Sequence, residues 1–240
     1  MTVNEQRAYP AIVRSLSSKD GTRIGYQAIG QGPAMVLIQG TMNTGHNFRD
    51  LATALGDDFT VVVPDRRGRG LSGPGASDYD LAREIEDLDA VMTETGAEFV
   101  FGLSSGALIA LQAGLCLPGL RKVVAYEPPL FRADDLPDLH IARTFRALDR
   151  GDREAALVSG MKAGQFGPPW MLALPDGLLK WMAKAQPQSP ADGGDGQASM
   201  QTLALTLRND FVLVKALAGS HEAYRHLKRP TLLLGGSETR

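Results

Sequence analysis

One cysteine among 240 residues is the first scarcity of this chain. Cys116 has no second thiol to pair with, so an internal disulfide is excluded, and alone it cannot build a cysteine-based metal site. Long apolar runs are also missing. Nothing approaches the ~20 residues of a membrane span, and the N-terminal stretch MTVNEQRAYPAIVRSLSSKD lacks the apolar centre of a signal peptide. Neither sign of charge dominates: 25 basic against 27 acidic side chains give a net charge of -2, which argues against nucleic acid or an anionic membrane surface as partner. Internal repeats are absent. The expectation is a cytoplasmic protein with no metal, no organic cofactor, and no nucleic-acid or membrane partner. What remains is ordinary globular material, 43% hydrophobic and 22% charged, long enough for a substantial core.

Between residues 21 and 129, short apolar runs alternate with helix-like segments, the pattern of a mostly parallel sheet covered on both faces. Strands are predicted at 22–28, 34–39, 60–64, 98–102 and 122–126. DGTRIGYQAIGQGP reads as an antiparallel hairpin with a glycine-rich turn. FRDLATAL places Phe48, Leu51 and Leu55 at helical spacing, and DLAREIEDLDAVMTETG carries the stripe Leu81, Ile85, Leu88 and Met92 with Gly96 as its stop. From about 130 to 228 the chain reads as short helices separated by prolines, with a Gly/Pro/Asp-rich loop at 187–197 expected to be mobile. RPTLLLGG then returns to a strand at 231–234. A helical block between two strands of one sheet is an insertion, so the expected division is a core of 1–129 and 229–240 and a helical cap of 130–228. Phe145, Phe166, Trp170, Met171, Trp181, Met182, Met200 and Phe211 are candidates to line or pack an apolar chamber there, which points to a small-molecule substrate with an apolar part.

The chemistry is concentrated in FVFGLSSGAL, residues 99–108. A strand that enters a tight turn and leaves as a helix can hold one serine, Ser104, strained and exposed at the apex. Gly102 and Gly106 flank it because a Cβ there would clash where strand and helix cross. The helix N-terminus brings free amides and a positive dipole end. The Ser105 N–H then points at the oxyanion formed when Ser104 attacks a carbonyl. AMVLIQGTMNTGHNF ends a buried strand in Gln39-Gly40-Thr41, whose Thr41 N–H is the natural second donor. In PDRRGRGLSG, Asp65 and the arginines brace a turn beside the site, since the chain has no basic excess to support a phosphate patch.

These stretches, in this order and spacing, resemble the α/β-hydrolase superfamily. The resemblance runs from 19 to 129 and from 229 to the end. It rests on Asp20-Gly21-Thr22, Gln39-Gly40, Asp65-x-Arg67-Gly68-x-Gly70-x-Ser72, Gly102-x-Ser104-x-Gly106 and Glu127-Pro128-Pro129. It implies the α/β-hydrolase fold, Ser104 as nucleophile, a cap over the site, and hydrolysis of an ester or similar acyl substrate through an acyl-enzyme. Gln39 departs from the histidine that usually precedes the oxyanion glycine.

A triad also needs an acid and a histidine, in that chain order after the serine. In the family the acid commonly follows the strand placed here at 231–234, and the histidine follows one strand more. Here Thr239 stands at the acid position with Glu238 beside it, and the sequence stops at GGSETR. The expectation is a shortened chain without the last strand, its helix and the catalytic histidine, leaving 231–234 as a sheet edge through which a homodimer could form. Glu127 is either the acid, at the end of the strand after the elbow, or an anchor for the start of the cap. His46, His140, His221 and His226 read as structural or exposed, with His46 best placed to stand in as base. Two alternatives stay open: a catalytically inactive binding protein, and a cofactor-free peroxidase or C–C hydrolase on the same frame.

Overall fold

Seven strands form one sheet in the computed structural model, which describes residues 9–74, 78–185 and 198–236. They are β1 (Ile12–Ser17), β2 (Arg23–Gly30), β3 (Ala34–Ile38), β4 (Thr60–Pro64), β5 (Phe99–Leu103), β6 (Lys122–Tyr126) and β7 (Thr231–Leu234), in the spatial order β1-β2-β4-β3-β5-β6-β7. From β4 to β7 all neighbours are parallel; β1 and β2 are antiparallel. Val36, Leu37 and Ile38 are all buried in succession, as expected where helices cover both faces.

The predicted hairpin is corrected. β2 pairs with β1, a strand not anticipated in the polar N-terminal stretch, and on its other side with β4. The glycine-rich turn instead carries the chain past β4 to β3. It does so pressed against the loop before β4: a Cβ on Gly30, at φ 89°, would lie 2.4 Å from the Gly56 Cα and 2.5 Å from the Phe59 carbonyl. α1 (Arg49–Leu55) follows a short 3-10 turn ending at Phe48, so its inward face is Phe48, Ala52 and Leu55. Leu51, expected on that face, is 38% exposed.

α2 (Leu81–Thr95) begins at an Asp80 cap that accepts the Arg83 N–H and ends at Gly96 with φ 68°, the stop read from the sequence. α3 (Ser105–Cys116) leaves β5 directly and is apolar all round; only Gln112, Leu115 and Cys116 escape burial. Burying Leu108, Ile109 and Leu111 is worth about 1.5–3 kcal/mol apiece.

Between β6 and β7 run α4 (Asp138–Asp149), α5 (Arg153–Ala163), α6 (Pro169–Leu172), α7 (Asp176–Ala185), α8 (Met200–Ala204) and α9 (Leu207–Leu217). Ile141, Ala163, Ala204, Leu207 and Phe211 form one apolar cluster among them. α9 also reaches back to the sheet layer, its Val214 and Leu217 packing with Leu108 of α3. The loop expected to be mobile, 187–197, lies outside the described residues. Among the described residues β7 is the edge strand next to β6, and Leu232, Leu233 and Leu234 are exposed along it. No helix among the described residues is long and apolar enough to cross a membrane.

Candidate active site

Ser104 sits between β5 and α3 with φ 52° and ψ -119°, a conformation that costs a residue with a side chain roughly 1–3 kcal/mol. Its N–H donates to the Tyr126 carbonyl at 2.9 Å, and its carbonyl accepts the Ala107 N–H at 2.8 Å. The flanking glycines are required by contact. A Cβ on Gly102 would lie 2.3 Å from the Gly106 carbonyl oxygen, and one on Gly106 would lie 2.5 Å from that of Ile38. Strand, turn and helix therefore cross as the elbow motif demands.

Among the described residues, four other than glycine have positive φ: Met42, Ser104, Glu127 and Gln165. The first three follow the carboxyl ends of β3, β5 and β6, so the strained backbone gathers on one rim of the sheet. Gly40 lies close to Ser104: a Cβ there would meet the Ser104 Cβ at 3.0 Å. Thr41, next in the chain, is thereby brought to Ser104. Ser105, the first residue of α3, has one of the N–H groups that no helical carbonyl reaches. The hydroxyls of Thr41 and Ser105 meet at 3.3 Å. The structure thus brings Ser104, Ser105 and Thr41 together.

What the sequence did not show is the ionic cluster attached to Ser105. Its Oγ donates to Asp210 Oδ1 at 2.8 Å and accepts from Arg66 Nη1 at 3.1 Å. Arg66 also donates to Asp210 at 2.7 Å and to Glu84 at 2.8 Å, while the Tyr79 hydroxyl donates to Glu84 at 2.7 Å. Arg69 donates to Asp210 Oδ2 at 2.7 Å, and its other terminal nitrogen to the Gly40 carbonyl at 2.6 Å and the Asn43 carbonyl at 3.1 Å. Arg66, Arg69, Glu84 and Asp210 are all buried. Burial alone would raise the Asp210 carboxyl, but the Arg69 and Arg66 guanidiniums outweigh it and hold it below its ordinary value. Burial opposes Glu84 likewise, and Arg66 holds it low. Burial pushes Arg69 down, against the pull of Asp210.

The bracing role read for PDRRGRGLSG is visible residue by residue. Arg67 forms a two-point bond with Asp87 at 2.8 and 2.7 Å and reaches Asp20 at 2.9 Å. Asp65 accepts the N–H groups of Gly45 and Leu71; burial raises its carboxyl in spite of them. The partner that sequence reading missed is Asp210. Its signal was present: in LRNDFVLVKAL, Leu207, Asp210, Phe211 and Val214 share one helical face, and a carboxylate on an apolar face calls for a buried cation.

The other candidates are dispersed. The Glu127 N–H donates to the Leu234 carbonyl at 2.9 Å and its Oε1 accepts the Gly236 N–H at 2.8 Å, which ties it to the end of β7. Gln39, in place of the usual histidine, donates its side-chain amide to the Pro64 carbonyl and so joins the ends of β3 and β4. His46 is half-buried in the loop after β3, His140 lies in α4, and His221 and His226 are exposed before β7. Thr239 and Glu238 lie outside the described residues. No group of three or more histidine, cysteine or acidic side chains among the described residues could hold a metal ion.

A cavity of about 440 Å³ opens between the Thr41–Met42 loop and the helices that follow β6. Its wall includes Met42, Met161, Phe166, Met171, Met182 and Met200, so Phe166, Met171, Met182 and Met200 fall where the sequence placed them. Phe145 and Phe211 pack the neighbouring apolar cluster instead. Trp170 and Trp181 do neither: at 67% and 66% exposed they face outward, Trp170 in the one-turn α6 and Trp181 on the outer face of α7, opposite buried Leu179.

Residues 35–240 match the family described as alpha/beta hydrolase. The 2-(acetamidomethylene)succinate hydrolase of Mesorhizobium japonicum is 27% identical over 218 residues, 88% of this chain and 73% of that protein. The N-formylmaleamate deformylase of Pseudomonas putida is 33% identical over 105 residues, 42% of this chain and 39% of that protein. Among solved structures, an alpha/beta hydrolase from Sphaerobacter thermophilus superposes with a TM-score of 0.75 at 30% identity, covering 94% of this chain and 83% of that one.

Proposed function

The chain belongs to the alpha/beta hydrolase family, and we propose that it cleaves an ester or amide of a small acyl substrate with an apolar part, using Ser104 as nucleophile. The observation that carries this reading is the strained Ser104 at φ 52°, with Thr41 and Ser105 beside it. In the reaction the Ser104 Oγ adds to the carbonyl carbon and the developing oxyanion is received by the N–H groups of Ser105 and Thr41. Collapse expels the alcohol or amine, and water releases the acid from the acyl-enzyme. The methionine-rich cavity suits the apolar part, since flexible thioethers adapt to many shapes. Amides stand beside esters because both relatives carry N-acyl groups in the names of their substrates.

A second reading, a binding protein that keeps the pocket without turnover, is favoured by the engagement of Glu127 with the end of β7. Labelling with a fluorophosphonate, together with p-nitrophenyl ester hydrolysis, separates the two. Under the first reading Ser104 is labelled, and Ser104→Ala loses label and turnover while its circular dichroism is unchanged. An unlabelled wild-type chain would support the binding reading, and a Ser104→Ala variant that still turns over would remove Ser104 from its role. His46→Ala tests whether that imidazole takes the serine proton.

A further inference from the structure

We propose that Arg69 and Asp210 are positioning residues for the oxyanion hole, and that one buried carboxylate sets both of its donors. The inference rests on Ser104 being the nucleophile and extends it to residues far away in sequence.

The Gly40 carbonyl and the Thr41 N–H are two ends of one planar trans peptide, so they point in opposite directions. Arg69 holds that carbonyl at 2.6 Å. Fixing the oxygen fixes the direction of the Thr41 N–H, on a peptide whose Gly40 end already lies close to Ser104. A charged donor on the oxygen also polarises the amide and makes its N–H a stronger donor. The same nitrogen of Arg69 reaches the Asn43 carbonyl at 3.1 Å, so its two bonds bracket Met42, whose φ of 61° needs outside support. A loop with a non-glycine residue at positive φ has other conformers available, and Arg69 selects one.

Arg69 is in turn placed by Asp210 Oδ2 at 2.7 Å. The other oxygen of Asp210 accepts the Ser105 hydroxyl at 2.8 Å, which orients the residue that supplies the second donor. One carboxylate therefore has two arms, through Arg69 to Thr41 and through its own bond to Ser105. Leu207, one turn earlier on α9, lines the apolar cavity, so the helix that the substrate's apolar part touches is the helix that carries Asp210.

The test compares Arg69→Met, Arg69→Lys and Asp210→Asn with wild type in the full chain, with the melting temperature of each recorded. Steady-state kinetics on a p-nitrophenyl ester gives kcat and KM, and NMR gives the Thr41 amide resonance. Arg69→Met is expected to lower kcat by about 10²–10³-fold, the loss typical of one oxyanion donor, with KM within about threefold. The Thr41 amide proton should move upfield as its peptide loses the charged partner. Arg69→Lys, which keeps the charge but has a single donor nitrogen, should recover part of both effects. If Arg69→Met does not fold, Arg69→Lys and Asp210→Asn carry the same comparison. An unmoved Thr41 amide, or a kcat that falls only in step with the folded fraction, overturns the proposal. Ser104→Ala keeps the two ideas apart: its continued turnover would sink the nucleophile assignment, while the Thr41 resonance still decides the positioning.

Discussion

Ser104 stands between two surroundings of opposite chemistry. Around Ser105 the neighbours are Arg66, Arg69, Glu84 and Asp210, buried yet joined in hydrogen bonds of 2.6–3.1 Å that each accept one direction. Around Thr41 and Met42 the cavity wall is mostly methionine and leucine with Phe166, alongside Ser199 and Gln201, and the apolar groups attract by contact and impose little direction. The first arrangement suits a part that must hold two N–H groups in place. The second suits a part that must admit a substrate and adapt to it. The difference predicts that changes on the ionic side act on folding and kcat, and changes on the cavity side act on KM.

The largest expected effect is on the ionic side. Asp210→Ala leaves Arg66 and Arg69 facing each other without their shared carboxylate and should cost about 3–5 kcal/mol, read as a lower urea midpoint. A loss under about 1 kcal/mol would show that water or Glu84 compensates. Next comes Gly106→Val, which forces side-chain atoms into the Ile38 and Gln39 carbonyls at 2.5 and 2.6 Å. Overpacking of this kind costs about 1–3 kcal/mol or more, so its melting temperature should fall well below that of Ser104→Ala. Equal melting temperatures would argue against a helix crossing at this glycine.

Acid sharpens the contrast further. Asp210 and Glu84 are held below their ordinary 3.8 and 4.5, so the stability they contribute is present above those values and lost as pH falls through their lower folded values. Asp65 is raised and acts in the opposite sense, favouring the fold as it takes up its proton. Urea midpoints should therefore hold down to about pH 4.5 and fall below it, with a shallower fall in Asp210→Ala. On the cavity side, Met182→Leu should change stability by under about 1.5 kcal/mol while moving KM for longer acyl chains. The smallest effect belongs to Trp181→Ala, within about 0.5 kcal/mol because the ring faces solvent. A large loss there would show that the outer face of α7 is covered.

Legibility followed locality. The elbow could be read because Gly102, Ser104 and Gly106 lie within five residues, although the Cβ excluded at Gly106 would meet the Ile38 and Gln39 carbonyls at the end of β3 rather than its own turn. The parallel strands at 60–64, 122–126 and 231–234 fall where their apolar runs placed them. β1 escaped notice because in IVRSLS only Leu16 packs against the core, while Ile12 and Val13 are 52% and 53% exposed, so no alternating apolar face marks it. Trp181, a candidate for the apolar chamber, faces outward because it lies on α7 opposite the buried Leu179.

By itself the sequence determined the parallel strands and the helices between them, and the turn that carries Ser104 between β5 and α3. Those features depend on apolar periodicity and on small residues at a short, fixed spacing. Only the tertiary structure decided which charged groups gather beside Ser105 and the Gly40 carbonyl. Asp210 reaches Arg66 across 144 positions and Ser105 across 105. A buried charge names no partner in advance; it requires one, and the fold chooses which cation comes within 3 Å.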